Sequence, residues 1–328
     1  KFIKELWYKC ILFHNNKNMK LDMHFHSTAS DGLLTQEELL KRAKEQDLEF
    51  IALTDHDVVS YGFREETQKY GIKSCQSVEI SAYNEAHDKS LHLTFYAKEI
   101  SQDIGNILQW VVRAKEDLIW LQIARFQEYG FEIDANEFYD FFEKLWRKKD
   151  ALNKFDMVVF VFWNEKNRIH AQQLHAGNVI TREDFYLQYL KRWWEKFHEF
   201  AVMVPNYEIP LSVCRDFAQK CDAIISIPHP NVTFKKWGIQ EFKKVLPHYI
   251  EQAWVNAIEV NACATREWGE AILQAKEKYD LFLTFWSDFH KSGINDGKHW
   301  DFWQSNPFLS PQSLEKYFQE YSHKICST

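Results

Sequence analysis

MKLDMHFHSTASDG, residues 19–32, combines a short apolar strand with closely spaced side chains that bind metals. On a β-strand, residues i and i+2 lie on the same side. His24 and His26 therefore point one way, while Met23 and Phe25 point the other. Two imidazoles on a strand that buries its other face are typical of half a metal site. The alternative is a pair of surface histidines on an edge strand.

The composition is that of a large globular protein. The 328 residues are 45% apolar and 16% aromatic, which is enough to bury a large core. The formal net charge of −7 argues against broad, salt-driven binding to nucleic acid, which needs a basic surface. We therefore expect no extended nucleic-acid interface. A small anionic substrate remains compatible with this charge if bound cations supply the local positive charge.

The cysteines and the apolar runs indicate a cytoplasmic protein. The six cysteines are scattered without a CxxC pair, which favours reduced thiols over a disulfide framework. The longest apolar run, residues 157–163, is too short to span a bilayer. Residues 1–18 start with a basic residue, but Lys9 divides their apolar part and no small-residue cleavage site follows. Because Met19 directly precedes the first strand, we expect residues 1–18 to be a leader upstream of the native start.

Strand and helix patterns alternate near both ends of the chain and predict a parallel α/β architecture. The alternation covers residues 19–100 and returns over residues 205–328. Between them, residues 101–204 show mostly helical spacing with many charges, so we predict a helical insertion. One run inside this insertion, MVVFVFW at 157–163, has the pattern of a strand.

Candidate metal ligands cluster after the apolar strands, at the end where barrels of parallel strands build their sites. His56 follows FIALTD, His229 follows AIISIP, and Asp288 and His290 follow LFLTFWS. The complete set is His24, His26, Asp31, His56, Glu79, His92, His229, Asp288 and His290. So many buried titratable groups are costly without compensation, which predicts two or three divalent cations. Mixed imidazole and carboxylate ligands suit Mn, Fe or Zn.

Six short motifs along the chain, in this order, resemble those of one known protein family. HFHSTASDG, LTDHD, SVEIS, HLTFY, IPHPN and SDFH resemble the motifs of this family, which is named for polymerases and histidinol phosphatases. RIHAQQLHAGNVITREDFYLQYL resembles the helical segment of the branch that contains nucleoside 3′,5′-bisphosphate phosphatases and 5′-to-3′ exoribonucleases. The resemblance implies an α/β fold, a distorted (β/α)7 barrel of the TIM type formed by 19–100 and 205–328, with 101–204 inserted as helices.

The resemblance also implies how the ligands are shared and how the reaction proceeds. The nine residues would divide into His24, His26 and Asp288 for a first ion, His92 and His229 for a second, Asp31, His56 and His290 for a third, and Glu79 as the bridge between the first two. A hydroxide that bridges the metals would attack the phosphorus. Glu79 and Asp57 would be the catalytic residues, Asp57 by orienting His56 or passing a proton. The alternative for Asp57 is a solvated loop carboxylate.

Three residues are candidates for substrate binding. Arg168 and His170 match an Arg-x-His element of this branch, although Ile169 stands where the element usually has proline. The guanidinium of Arg168 would bind a substrate phosphate through two hydrogen bonds. The alternative is a surface arginine on a helical insertion. Asn231 would line the mouth of the barrel.

Two tryptophans depart from the family pattern. The family usually has glycine at the positions of Trp254 and Trp286. The chain has 10 glycines, where a usual content of ~7% would give about 23, and it has 13 tryptophans. One interpretation is that a codon translated here as tryptophan is read as glycine in the organism. The other is an aromatic-rich protein whose site entrance is narrowed.

Three functions remain open from the sequence. We favour a metal-dependent phosphoesterase that hydrolyses phosphate esters of nucleotides or short RNA, because the insertion carries the Arg-x-His element. Its partner would be a small phosphorylated substrate or a short RNA end, without a membrane. A histidinol-phosphate phosphatase would use the same metals on another substrate. A non-catalytic metal-binding PHP module is the third possibility, which the complete set of nine ligands disfavours. The oligomeric state is left open.

Overall fold

The computed structural model describes residues 19–145, 147–191, 200–205, 207–235, 237–261, 264–290 and 309–326, without the side chain of Trp286. The predicted leader, residues 1–18, lies outside the described residues. The strands are β1 Leu21–Phe25, β2 Phe50–Leu53, β3 Lys73–Ser74, β4 Gln76–Asn84, β5 Lys89–Ala97, β6 Ile209–Pro210, β7 Ile224–Ile227, β8 Ala257–Asn261 and β9 Phe282–Trp286.

Helices alternate with these strands and form most of the central part of the chain. They are α1 Gln36–Glu45, α2 Phe63–Lys69, α3 Gln102–Glu128, α4 Ala135–Glu143, α5 Lys154–Trp163, α6 Glu165–Leu174, α7 Arg182–Phe185, α8 Leu211–Cys221, α9 Pro230–Thr233, α10 Gly238–Ala253, α11 Arg266–Tyr279 and α12 Pro311–Ile325. A π-helical turn, Tyr186–Leu190, continues α7.

The strands form two hydrogen-bonded sheets. One has the order β1-β2-β3 and the other the order β6-β4-β5-β7-β8-β9. β5 runs antiparallel to both β4 and β7, whereas the other recorded strand pairs are parallel. The expectation of a parallel sheet is therefore wrong for β5. The short connection between β4 and β5 explains this, because a parallel pair needs a longer crossover.

Hydrogen bonds beyond the regular ladders join the two sheets. His26 N donates to Phe289 O at 2.9 Å, which links the end of β1 to the residues after β9. Asp57 N donates to Glu79 O at 2.8 Å, which links the residues after β2 to β4. β1, β2, β4, β5, β7, β8 and β9 thus follow one another around a ring, as predicted for a distorted seven-stranded barrel.

The main apolar core lies between these strands and the helices packed against them. Its helical contributions include Phe217 of α8, Leu246 of α10, Ile272 of α11 and Phe318 of α12, all at most 5% exposed. The hydrophobic effect thereby fixes the strands from outside and leaves the polar side chains at the strand ends for the site.

The inserted helices have a core of their own. Its buried residues all lie between Ile119 and Ala201. α3 connects the two cores, because Leu108 in its first half packs into the barrel core and Phe126 in its second half packs into the insertion. This arrangement supports the predicted division into 19–100, 101–204 and 205–328, which stays a prediction.

The prediction of a strand at MVVFVFW, residues 157–163, is wrong, because this run is helical and belongs to α5. Asn153 caps the helix by accepting hydrogen bonds from the backbone N–H groups of Phe155 and Asp156. Asp156 completes a capping box by accepting from Asn153 N. The run is apolar on most sides because it is buried in the insertion core. Its apolar residues therefore show neither the 3.6-residue repeat of a helix nor the two-residue repeat of a strand.

No described helix is long and apolar enough to cross a lipid bilayer. The described cysteines, Cys75, Cys214, Cys221 and Cys326, are all free thiols.

Trp254 occupies a conformation that side chains rarely adopt. It follows α10 with a φ of 57°, in the left-handed region, and is 49% exposed. Glycine is the usual residue at this position after a helix because it has no Cβ to clash. The backbone therefore fits the glycine that the family pattern has here.

Candidate metal centre

The two histidines of the opening motif lie side by side and are fully buried. His24 is on β1 and His26 follows it, and their Nε2 atoms are 3.1 Å apart. Met23 and Phe25 point into apolar cores on the other side. The predicted alternation along the strand is confirmed, and the alternative of surface histidines is wrong.

Glu79 of β4 lies at the centre of the cluster. Its Oε2 atom is 3.0 Å from His24 Nε2, 3.2 Å from His26 Nε2 and 3.3 Å from His56 Nδ1. The side chain is 1% exposed. One oxygen of a buried carboxylate therefore faces three imidazoles from β1, the residue after it, and the loop after β2.

The other oxygen of Glu79 faces a second pair of imidazoles. Oε1 is 3.1 Å from His92 Nδ1 and 3.4 Å from His229 Nε2. His229 Nδ1 lies 2.9 Å from Thr233 Oγ1, which itself donates to Pro228 O. Thr233 therefore accepts the Nδ1 proton of His229 and leaves Nε2 directed at Glu79.

Asp31 collects a further group of imidazoles. Its carboxylate oxygens are 3.2 Å from His290 Nε2, 3.6 Å from His56 Nε2 and 3.6 Å from His26 Nδ1. The adjacent Gly32 packs so closely on the carbonyl group of His26 that a Cβ atom would collide with it. The Asp-Gly pair of the opening motif is thus explained by the tight loop that returns Asp31 to the histidines.

Asp288 approaches the opening histidines from the other side of the barrel. Its Oδ1 atom is 3.4 Å from His26 Nε2 and 3.7 Å from His24 Nε2. Its backbone N donates to His24 O at 2.9 Å. Asp288 has a φ of 51°, and the ligand candidate His229 has a φ of 36°. Such left-handed residues are strained, and they occur here where strands end and side chains turn toward the cluster.

The electrostatics of the cluster balance buried carboxylates against imidazoles. Burial raises the pKa of Glu79, but the positive charges of His24 and His56 outweigh it and lower the pKa well below its usual range. Burial lowers the pKa of His26, but hydrogen bonds to Asp288 and Glu79 raise it to about 10. The cluster therefore favours added positive charge, which divalent cations would supply.

The donor atoms fit metal ions. Buried Asp31 Oδ1, His56 Nδ1 and Glu79 Oε1 have no well-formed hydrogen bond in the described structure, although buried polar atoms are nearly always satisfied. The nine predicted ligands form four groups, and within each group the possible ligand atoms all lie within 4.8 Å of one another. The groups are His26, Asp31, His56 and His290; His24, Glu79 and His229; His24, His26 and Asp288; and His56, Glu79 and His92. The structure thus brings all nine predicted ligands together, and their role as ligands stays a prediction.

The sequence analysis missed Glu259. It is a fully buried residue of β8, and its Oε2 atom is 2.8 Å from His24 Nδ1. Its Oε1 atom accepts the backbone N–H of His229. The available signal was a charged residue in the middle of the buried strand AIEVN, where only a paired carboxylate is tolerated.

Asp57 is fully buried, so the alternative of a solvated loop carboxylate is wrong, and its carboxylate contacts residues outside the ligand groups. Its Oδ1 atom accepts from Ser81 N, and its Oδ2 atom accepts from Ser81 Oγ at 2.8 Å and from Lys115 Nζ at 2.6 Å. These bonds connect the loop of His56 to β4 and α3. They hold the loop that carries His56 in place. The catalytic role of Asp57 stays a prediction.

The three predicted substrate-binding residues contact residues other than the nine predicted ligands. Arg168 on α6 is half-exposed and pairs with Glu165 at 3.6 Å. His170 donates from Nε2 to Tyr129 O at 2.6 Å, within the insertion. Asn231 accepts a hydrogen bond from the Nδ2 group of Asn261, which ends β8. The substrate roles of Arg168, His170 and Asn231 stay predictions.

A cavity of about 280 Å³ adjoins the cluster. His92 and His229 line it from the barrel. Lys154, Tyr186 and Lys191 line it from the insertion. A small molecule in this cavity would therefore reach two of the predicted metal ligands.

Residues 22–161 match the family profile of the PHP domain. Over these residues the chain is similar to a PHP domain. The match begins at the first predicted motif and extends into the helical insertion, so the resemblance predicted from the motifs is confirmed.

Curated relatives match parts of the chain. It is 30% identical over 121 residues to a phosphoribosyl 1,2-cyclic phosphate 1,2-diphosphodiesterase from Eggerthella lenta, covering 35% of this chain and 45% of that protein. It is 44% identical over 71 residues to the 5′-3′ exoribonuclease Rnm of Salmonella typhimurium, covering 20% of this chain and 24% of that protein. The matches thus span less than half the length of these relatives.

Solved structures share the fold over nearly the whole chain. An amidohydrolase from Chromobacterium violaceum superposes with a TM-score of 0.64 at 18% identity, covering 91% of this chain and 96% of that one. A metal-dependent phosphoesterase from Bifidobacterium adolescentis superposes with a TM-score of 0.59 at 16% identity, covering 92% of this chain and 96% of that one. These likenesses show that the chain shares the fold of both proteins over nearly its whole length.

Proposed function

We propose that the chain is a metal-dependent phosphoesterase that hydrolyses phosphate esters of nucleotides or of short RNA ends. The observation that carries the proposal is the convergence of six histidines and three carboxylates at one end of the barrel, beside a cavity. The PHP domain and relatives named as a diphosphodiesterase and an exoribonuclease support it.

The nine residues would hold two or three divalent ions, and their mixed nitrogen and oxygen donors suit Mn, Fe or Zn. When bound, such ions neutralise phosphoryl oxygens and activate water for attack on phosphorus. The two oxygens of Glu79 face different groups of imidazoles, so Glu79 is suited to join two ions.

The protein's contribution is to fix the ligands before any ion arrives. Glu259 accepts the Nδ1 proton of His24, and Thr233 accepts that of His229, so both rings present Nε2 to the centre. Partners of this kind set the tautomer and the orientation of ligating histidines. The site is therefore preorganised for a fixed arrangement of cations and phosphate.

The expected substrate is a small phosphorylated compound or one end of a short RNA. The cavity beside His92 and His229 is small, and the net charge of −7 disfavours an extended nucleic-acid surface. The free thiols of the described cysteines suit a reducing compartment, and we infer a cytoplasmic location.

A screen of the Mn-loaded protein tests the proposal. The substrates are adenosine 3′,5′-bisphosphate, a 5′-phosphorylated diribonucleotide, a ribose 1,2-cyclic phosphate and histidinol phosphate. We expect turnover of the nucleotide substrates, which chelator treatment abolishes and added Mn restores.

Other outcomes of the screen would replace the proposal. Preference for histidinol phosphate would favour a histidinol-phosphate phosphatase. A fully metal-loaded protein that turns over no substrate would favour a non-catalytic metal-binding module.

A further inference from the structure

The cavity beside the candidate metal centre has walls of different chemistry. Its barrel wall carries His92 and His229, whose ring nitrogens face Glu79. Its opposite wall belongs to the insertion and carries Lys154 and Lys191. A phosphate ester with its scissile phosphate beside the histidines would therefore extend toward these two ammonium groups.

Lys154 is the better placed of the two lysines. It is the first residue of α5 and only 9% exposed, and its Nζ atom lies 5.7 Å from the ring centroid of Tyr207. This distance is within the range of cation–π contact. Lys191 is exposed, and residues 192–199 after it are outside the described structure. An ammonium held in a cavity wall is suited to an anionic ligand, because the low exposure strengthens the attraction.

The remaining lining residues point to a ligand that is anionic and flat. The lining includes two lysines, Lys154 and Lys191, and one carboxylate, Glu208, so the net charge of these three groups is positive. Tyr186, Tyr207 and Trp237 are the large aromatic side chains of the lining. Stacking on aromatic side chains is how proteins hold bases of single nucleotides without reading a duplex.

The size of the cavity limits what it can hold. Its volume of about 280 Å³ lies just below the ~300–1,000 Å³ typical of small-molecule pockets. It therefore suits one nucleotide unit, so an RNA substrate would insert only its terminal nucleotide.

We propose that Lys154 determines substrate specificity by binding a second anionic group of a phosphate ester whose flat ring lies among Tyr186, Tyr207 and Trp237. This inference rests on the proposed function, because it takes the scissile phosphate to lie beside His92 and His229. The corresponding substrate class is a nucleoside with two phosphates, or the 5′-phosphorylated terminal nucleotide of an RNA.

The first test compares Lys154→Met with Lys154→Arg, and uses Lys166→Met as the matched control. Lys166 lies in the same insertion, is 76% exposed and pairs with Glu132 at 3.1 Å. The measured quantity is kcat/KM of the Mn-loaded variants for adenosine 3′,5′-bisphosphate and for p-nitrophenyl phosphate, which lacks the second anionic group. Metal content and far-UV circular dichroism are recorded for every variant.

We expect Lys154→Met to lower kcat/KM for the bisphosphate by about 10- to 100-fold, and that for p-nitrophenyl phosphate by no more than about threefold. Lys154→Arg should restore part of the loss, and Lys166→Met should have no effect. Equal losses on both substrates, or none on either, would overturn the inference. So would a selective loss in Arg168→Ala that Lys154→Met does not show.

A binding measurement separates this inference from the proposed function. The thermal midpoint of the Mn-loaded protein is measured with and without adenosine 3′,5′-bisphosphate. We expect the ligand to raise the midpoint of the wild type and of Lys166→Met, but not of Lys154→Met. A wild type that binds without turnover would refute the phosphoesterase proposal and leave the role of Lys154 intact. A wild type with no shift, or a Lys154→Met variant with the full shift, would overturn the inference.

Discussion

Nδ1 of His24 lies 2.8 Å from Oε2 of Glu259, and both side chains are fully buried. A carboxylate at this distance accepts the Nδ1 proton and fixes the ring, so that Nε2 faces Glu79 at 3.0 Å. Glu259 is thus a positioning residue for a predicted ligand, and its other oxygen, Oε1, accepts the backbone N–H of a second predicted ligand, His229.

The first prediction concerns this pair. Glu259→Gln should weaken the binding of Mn by about 10- to 100-fold, because a neutral amide orients the imidazole of His24 less firmly. Affinity is measured by competition with a chromogenic chelator. The control is Glu267→Gln, an exposed position on α11. An unchanged affinity in a folded Glu259→Gln protein would show that His24 does not need this partner.

The second prediction concerns Glu79. Glu79→Gln should lower kcat by at least about 100-fold, because the amide nitrogen cannot replace the oxygen that faces His92 and His229. Glu65→Gln is the control, since Glu65 is 58% exposed. Turnover is followed by phosphate release, and circular dichroism checks the fold. Near-normal turnover would refute the bridging role.

Several of the nine ligand candidates could be predicted from the residue pattern alone because their positions depend on short-range rules. The separation of His24 and His26 by one residue places both on one face of a strand. His56 and His229 follow apolar strands whose ends meet at one edge of the barrel. Such rules need no knowledge of which strands are neighbours.

The features that were missed depend on contacts distant in sequence. Glu259 contacts His24 across 235 positions, and no motif around AIEVN marks that contact. The helix α5 was mistaken for a strand because tertiary burial made MVVFVFW apolar on most sides. The proposed role of Lys154 also depends on how the insertion packs on the barrel, which local patterns do not encode.

The third prediction is that metal affinity rises with pH. Hydrogen bonds to Asp288 and Glu79, which outweigh the effect of burial, raise the pKa of His26 to about 10 in the ion-free protein. His26 is therefore protonated at neutral pH, and a divalent ion must displace that proton to use the ring as a ligand. Calorimetric titration of Mn in two buffers of different ionisation enthalpy should report proton release. An affinity independent of pH between 6 and 9 would contradict this coupling.

The fourth prediction concerns the identity of two residues. Trp254 has a left-handed backbone conformation that suits glycine, and the resemblance to the PHP motifs predicts glycine there and at Trp286. Peptide mass spectrometry of the protein isolated from its own organism should therefore find glycine at both positions. Tryptophan in either peptide would end the codon interpretation for that position.

The last prediction tests the same position through stability. Trp254→Gly should raise the free energy of unfolding by about 1 kcal/mol, because a residue with a Cβ atom pays roughly this amount in the left-handed region. Little packing is lost, since Trp254 is 49% exposed. The matched control is Trp110→Gly, at a 64% exposed site inside α3. That change should lower the free energy by about 1 kcal/mol, because glycine weakens a helix interior. Urea unfolding of the recombinant protein measures both values. If Trp254→Gly destabilises the protein as Trp110→Gly does, the side chain of Trp254 makes contacts that outweigh its backbone strain.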